Sequence, residues 1–489
     1  MYSVKECREM TVWESSPDVY KVVCRRLFTG CNWMLLAIKK KTNMCKVGKY
    51  IGIHNYEMDT FSGNHFNLEV DLISLVLIPH IEVSIRYMAA LQHFNSGTVV
   101  EWKLERSAGI PEYIFRYVFW AFKPAIDGFV HCRPVISIDG THVYRKHNIK
   151  LLIDVAVDAN GQIFPLVFAI CANESQETWT LILNHLNEHI VTQCSGICLI
   201  SNRHDGILSS VQHLPEWKEP YAYHYYCVRH LKANFQKKYP NKDLHDLMWM
   251  VATDHQECKF RRRMESIRQE DERAYHWLMR HDLEKCTLHA DGGRRWGSLA
   301  TNVLESFNRL LKSVCGLPVT AMVCILFKQM AERFVERHRG ASELMERGVE
   351  FMPNPMKRFD KYRRRAHWHS FLQYCNERNI FEAHTAIHQN RKNNIHTVNE
   401  ANRLCSYGKC PIYHMSRSHA IKCFQHTGLG PTDYVDKQYS VAAYLNTYSG
   451  QLQPVGHVRR KCPSASLGGG GNPAPGGSSS NVPNCQGYT

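Results

Sequence analysis

An α/β fold is predicted for this chain by three observations: strand-like apolar runs at its centre, a helical repeat between the third and fourth of them, and acids at strand ends. PVISIDGTHVY (134–144), KLLIDVAVDAN (150–160) and GQIFPLVFAICAN (161–173) read as strands. The last two meet at Asn160-Gly161, a dipeptide suited to hairpin turns. Trp179, Ile182, Leu183, Leu186 and Ile190 then recur at helical spacing, with Asn173 and Gln176 spaced as a capping box. GICLIS (196–201) supplies the fourth strand.

The order β, β, β, α, β fits an RNase H-like core, in which an antiparallel meander is extended by a strand beyond a crossover helix. That core spans 132–320, with a basic helical insertion over about 232–296 that includes FRRRMESIRQEDERAYHWLM. In TNVLESFNRLLKSV, Leu304, Phe307, Leu310, Leu311 and Val314 share one helix face, and Asn302, Glu305, Arg309 and Lys312 share the opposite one. Ahead of the core, DVYKVVCRRL (18–27), NWMLLAIKK (32–40) and CKVGKYIGI (45–53) predict a small β module at 16–66. Residues 67–131 read as a mixed, mostly helical linker whose aromatic run YIFRYVFWAF (113–122) serves packing. Beyond the core lie a basic helical region at 321–395, a finger-like stretch at 396–428 and a Gly/Ser/Pro-rich tail at 464–489 expected to be disordered.

Composition narrows the partners. The chain has 489 residues, 44% of them hydrophobic, enough for a sizeable core. Sixty Lys plus Arg against 45 Asp plus Glu leave a net charge of +15, which favours polyanions, nucleic acid above all. Arg261-Arg262-Arg263 and KRFDKYRRR (357–365) concentrate that charge on predicted helices. The opening MYSVKECREM lacks a secretory apolar segment, and Asp71, Pro79, Asp154 and Asp158 interrupt the later apolar stretches, so an intracellular protein outside the membrane is expected. In a reducing compartment the 19 cysteines are expected to be thiols or metal ligands.

Two-metal phosphodiester chemistry needs about three carboxylates converging on Mg²⁺. Asp139 at the end of the first core strand, position 202 at the end of the fourth, and Glu305 on the later helix are placed to converge, but position 202 is Asn. Here SIDGTHV, FAICANESQETW, LISNRHDGI, YHYYCVRHLKANF and TNVLESFN resemble plant Mutator-like (MuDR-type) DDE transposases, over roughly 16–455. The resemblance implies catalytic Asp139 and Glu305, a second catalytic Asp where Asn202 stands, and a Cys227/His230 motif near the active site. Asp205, three residues on, is expected to start the next helix and point elsewhere.

The same resemblance implies two zinc modules, each lacking ligands. Cys24, Cys31 and His54 resemble a WRKY/GCM-like N-terminal finger, but Tyr56 stands at the fourth position, with His65 or Cys45 as stand-ins. Cys405 and His419 match a SWIM-type finger whose other ligand positions hold Tyr407 and Arg417; Cys410, His414 and Cys423 are alternative donors. SIRYMAALQHFN (84–95) joins the two ends of a helical stretch that is longer in the family. The resemblance further implies double-stranded DNA as partner, with terminal inverted repeats as the site, a homo-oligomer and a nuclear location. Two functions stay open: a transposase weakened at position 202, or a domesticated, non-catalytic DNA-binding regulator.

Overall fold

The computed structural model describes residues 10–15, 19–24, 34–39, 45–51, 83–106, 113–142, 150–192, 194–299, 317, 319–385, 394–400, 404–406, 412–428, 430 and 432–455. By backbone contacts the chain divides into Met1–Pro454 and Val455–Thr489, and every described strand and helix belongs to the first unit.

Seven strands form the central sheet: β5 (Val99–Arg106), β6 (Tyr113–Ala121), β7 (Arg133–His142), β8 (Lys150–Val157), β9 (Ile163–Cys171), β10 (Ile197–Ser201) and β11 (Ala222–Tyr226). Their order is β11-β10-β7-β8-β9-β6-β5. From β7 through β8, β9 and β6 to β5 neighbours run antiparallel, whereas β7, β10 and β11 are parallel. The result is a mixed α/β sheet. Strands β8, β9 and β10 are buried along almost their whole length, which explains why their sequences are apolar runs and not alternating ones. The β8–β9 connection closes where Asn160-Gly161 predicts it, with Gly161 at φ +80°.

An N-terminal four-stranded antiparallel sheet holds β1 (Met10–Ser15), β2 (Val19–Cys24), β3 (Met34–Lys39) and β4 (Cys45–Ile51), so one strand precedes the three that the sequence predicts. The linker at 67–131 departs further from expectation. A helix, α1, covers 83–94, but β5 and β6 form an antiparallel pair that widens the central sheet through β9. The reason is burial on both faces: Val118, Phe119, Trp120 and Ala121 are all buried, so this strand carries no alternation to distinguish it from a buried helix.

After α2 (Lys123–Gly128), the crossover helix α3 spans Gln176–Leu186 and continues as a π-helical turn, Asn187–Val191. Its cap is Ser175, whose Oγ accepts the Thr178 N–H at 3.2 Å, and not Asn173 as the spacing suggested; Asn173 offers its carbonyl to the Thr178 hydroxyl instead. Helix α4 (Asp205–His213) follows β10. Helices α5 (Val228–Lys238), α6 (Lys242–Thr253), α7 (Glu257–Glu270) and α8 (Glu272–Met279) share an apolar cluster that includes Leu231, Phe235, Met248, Ile267 and Leu278. Then come α9 (Val319–Glu346), α10 (Pro353–Ala366), an antiparallel sheet of β12 (Ser370–Cys375), β13 (Ile380–His384), β14 (Ile395–Asn399) and β15 (Leu404–Cys405), α11 (Ser418–Phe424) and α12 (Val441–Thr447).

Buried polar groups tie these parts together. Asp158, after β8, accepts the Gln162 N–H at 2.8 Å and the Tyr448 hydroxyl at 2.8 Å, and Arg337 of α9 lies 3.2 Å away. Asp154 differs: it is 1% exposed in the middle of β8, neither carboxyl oxygen has a hydrogen-bond partner among the described residues, and burial holds its pKa well above the ordinary value. The folded chain therefore binds a proton that the unfolded chain releases above pH ~4. Stability should fall as pH rises from there, by about 1.4 kcal/mol per unit, until the folded group itself ionises. Asp154→Asn should remove that slope. Denaturant unfolding at several pH values checks it, and parallel curves for the two proteins would contradict it.

Candidate active site

Strand register builds the site. Ser201 of β10 pairs with Ile138 of β7, so one further residue along each strand sets Asn202 beside Asp139, on the face where Val135, Cys198 and Ile200 enter the core. The two side chains touch: Asn202 Nδ2 donates to Asp139 Oδ1 at 3.3 Å. The amide's orientation is fixed from its other end, because Asn202 Oδ1 accepts the His204 N–H at 3.0 Å. Asp139 also accepts the Gly140 N–H at 3.0 Å. Burial raises the pKa of Asp139, and the Glu174 charge adds to that, while His230, the Gly140 N–H and the Asn202 amide oppose it.

Glu174 is a site residue that the motifs did not single out. It lies between β9 and α3, is 5% exposed at its side chain, pairs with Lys150 and accepts the Trp179 indole N–H at 3.3 Å. Its other near neighbour is His204 Nδ1, 3.8 Å away. A Cβ at Gly140 would meet Leu152 Cδ2 of β8 at 2.8 Å and stand 3.4 Å from Glu174 Oε2, so this glycine lies beside the carboxylate and lets β7 and β8 pack closely. The available signal was position: an acid just past the end of β9, a strand that lies one place beyond β7's neighbour β8.

Cys227 and His230 flank the same region. The Cys227 N–H donates to the Ser201 carbonyl at 2.8 Å, which fixes the start of α5 against the end of β10. A hydrogen bond with Cys227 raises the His230 pKa, burial lowers it, and the Asp139 charge raises it again. Asp205 opens α4 as a first-turn acid, in agreement with the expectation that it starts a helix. Glu305 lies outside the described residues. Among the described residues the donors are one carboxylate facing an N–H and one carboxylate paired with lysine; the third acid that two Mg²⁺ ions require would have to come from Glu305.

The finger residues divide the same way. The side chains of Cys24, Cys31, His54, Cys45, His65, Tyr56, Cys410 and Tyr407 lie outside the described residues. Cys405 and His419 come together, with His419 Nε2 2.7 Å from Cys405 Sγ, both buried. Burial pushes His419 down to about 3, so its imidazole is neutral. Of the alternative donors, His414 is engaged by other groups, and Cys423 shares an apolar cluster with Cys405. His414 stacks on Trp296 at 3.7 Å and reaches the Gly293 carbonyl at 3.0 Å, while Cys423 sits in the apolar cluster with Phe381, Val398 and Phe424, its pKa pushed up to about 12 by burial. Arg417 lies 3.8 Å over the Tyr362 ring, so the residue at this ligand position packs α10 against α11.

The basic runs are on helices, as predicted. In α10, Lys357, Lys361 and Arg364 are exposed and share one face by their i, i+4, i+7 spacing. Arg261 of α7 is exposed and pairs with Glu257 at 2.5 Å. Among the described residues no helix is long and apolar enough to cross a membrane.

The family model described as MULE transposase domain matches residues 135–234. That stretch runs from β7 into α5 and contains Asp139, Glu174, Asn202, Cys227 and His230. The match supports a Mutator-like transposase family. A comparison with curated proteins gave no match.

Proposed function

We infer that this transposase-like protein of a Mutator-like element is a nuclear DNA-binding protein whose RNase H-like core once cleaved and joined DNA at terminal inverted repeats with Mg²⁺, and is now catalytically weak. Asp139 and Glu305 would hold Mg²⁺, which would polarise the scissile phosphate; Asn202 is the lost acid. One observation carries the reading: an amide N–H occupies the side of Asp139 where the register puts the second acid. To turn its oxygen toward a cation, Asn202 would have to give up the His204 N–H. Zinc in the finger-like modules is partial on this reading, with Cys405 and His419 as the surviving half of the C-terminal set. Assembly as a homo-oligomer belongs to the same reading.

The same contact favours a second reading, a domesticated non-catalytic DNA-binding regulator, because a hydrogen-bonded amide stabilises Asp139 without metal. Both readings require DNA binding that outlasts Mg²⁺ removal. Affinity for a terminal-repeat duplex in chelator should fall steeply with salt, and Ala at Lys357, Lys361 and Arg364 should flatten the log–log slope by about 0.9 for each phosphate no longer neutralised. Filter binding or fluorescence anisotropy reads this directly. Absence of binding at low salt would refute both readings, and an unchanged slope would remove α10 from the interface.

A further inference from the structure

The end of α3 carries an arrangement that the catalytic reading does not use. His185, Glu188 and His189 lie in the sequence HLNEH, and their ligand atoms all fall within 4.8 Å of one another. A π-helical turn starts at Asn187, in the middle of the group. Such turns disrupt the regular ladder and recur at functional sites. The His185 and His189 rings, four residues apart, are near-parallel, 5.8 Å between centroids at 12°. The Glu188 carboxylate is 3.8 Å from His189 Nε2.

Two observations single out His185 within the group. Its Nε2 is 2.7 Å from the Tyr117 hydroxyl of β6, and its Nδ1 is buried with no hydrogen-bond partner among the described residues. An unpartnered buried ring nitrogen is unfavourable, and a metal ion is one group that satisfies it. Metal-bound imidazoles usually give their other nitrogen to an outer hydrogen-bond partner that fixes tautomer and ring angle, which is the place Tyr117 holds. Burial lowers the His185 pKa, leaving the neutral imidazole that ligation requires, and Glu101 on β5 supplies a second negative charge nearby.

We propose that His185 through Nδ1, His189 and Glu188 form a site for one divalent transition metal of the zinc class, with water in the fourth position, pinning the π-turn to β6. Two imidazoles and one carboxylate suit zinc, cobalt or nickel better than Mg²⁺ or Ca²⁺. The site is independent of the Asp139 region and of the cysteine-containing modules.

Cobalt(II) serves as the probe, titrated into the full chain with excess Mg²⁺ present. Thiolate ligands give a charge-transfer band that a nitrogen and oxygen set lacks, so cobalt at Cys405 is distinguishable. One equivalent without that band is expected in the wild type and in Cys405→Ser, and its loss is expected in His189→Ala. His189 and Glu188 are partly or fully exposed, so their replacement leaves the core intact. Tyr117→Phe should keep the equivalent but weaken it by about 10- to 100-fold. Cobalt uptake that is the same in the wild type, His189→Ala and Tyr117→Phe would overturn the site.

Discussion

Asn202→Asp is expected to raise Mg²⁺-dependent cleavage of a terminal-repeat duplex roughly a thousandfold, equivalent to ~4 kcal/mol of transition-state stabilisation. An aspartate at 202 can keep one oxygen on the His204 N–H and turn the other toward Asp139, where the amide N–H now lies. Two carboxylates about 3.3 Å apart repel, and Asp139 is already hard to ionise because of burial. A divalent cation relieves both. Mg²⁺ should therefore also raise the thermal midpoint of Asn202→Asp, by mass action on the folded state, while leaving the wild type nearly unchanged. Cleavage is best measured at DNA concentrations above saturation, so that weakened end recognition does not limit the rate. Affinity for DNA should change little, because it depends on Lys and Arg contacts over the surface. Equal cleavage by both forms would transfer the lost ligand to another residue, with Asp205 the first to test.

The second large effect concerns stability. Arg295→Ala should destabilise the fold by about 3–5 kcal/mol, the range for breaking a buried ion pair from one side. The Arg295 and Asp291 side chains are wholly buried, 3.9 Å apart at their closest atoms. Arg295 Nη2 donates to the Lys285 carbonyl at 2.6 Å, and its guanidinium lies 4.5 Å over the Tyr225 ring of β11. Removing it leaves Asp291 buried without its cation and the Lys285 carbonyl without this donor. Next in sequence, Trp296 stacks on His414 and joins the apolar cluster of Val135, Cys198 and Phe359, so the loss should spread from the helical segment to the sheet. Denaturant unfolding measures the change. Removing both charges, as Asp291→Asn with Arg295→Met, should recover much of the loss, since no charge is then left alone. A double variant as unstable as the sum of its parts would show that packing, and not charge pairing, holds this loop.

Legibility in the sequence followed burial and sequence distance. The β8–β9 hairpin was readable because Asn160-Gly161 names its own turn, and β10 because a short apolar run ended in polar residues. The meeting of Asp139 with Asn202 was readable from strand order alone, since parallel neighbours align their ends. Strand β6 was not, because burial on both faces erased the alternation that marks a strand. Glu174 is not legible for a different reason: its nearness to Asp139 depends on where β9 lies in the sheet, which is not local. The cap is ambiguous in the sequence because Asn173, Ser175 and Gln176 all carry polar side chains, and only backbone geometry selects Ser175. HLNEH carries metal-ligand types at i, i+3 and i+4, a spacing that the amphipathic reading of this helix leaves unused.

The alignment of positions 139 and 202 rests on Val135, Ile136, Cys198, Leu199 and Ile200, apolar residues buried in the sheet that take no part in chemistry. A shift of one residue would turn that whole set to the wrong face, so the core keeps the two positions facing each other whatever side chains they carry. On the proposed reading, loss of the acid would therefore leave no scar in the backbone. In evolutionary terms such a change would be reversible: asparagine and aspartate codons differ by a single base, and the residues that keep the two positions aligned belong to the buried sheet itself.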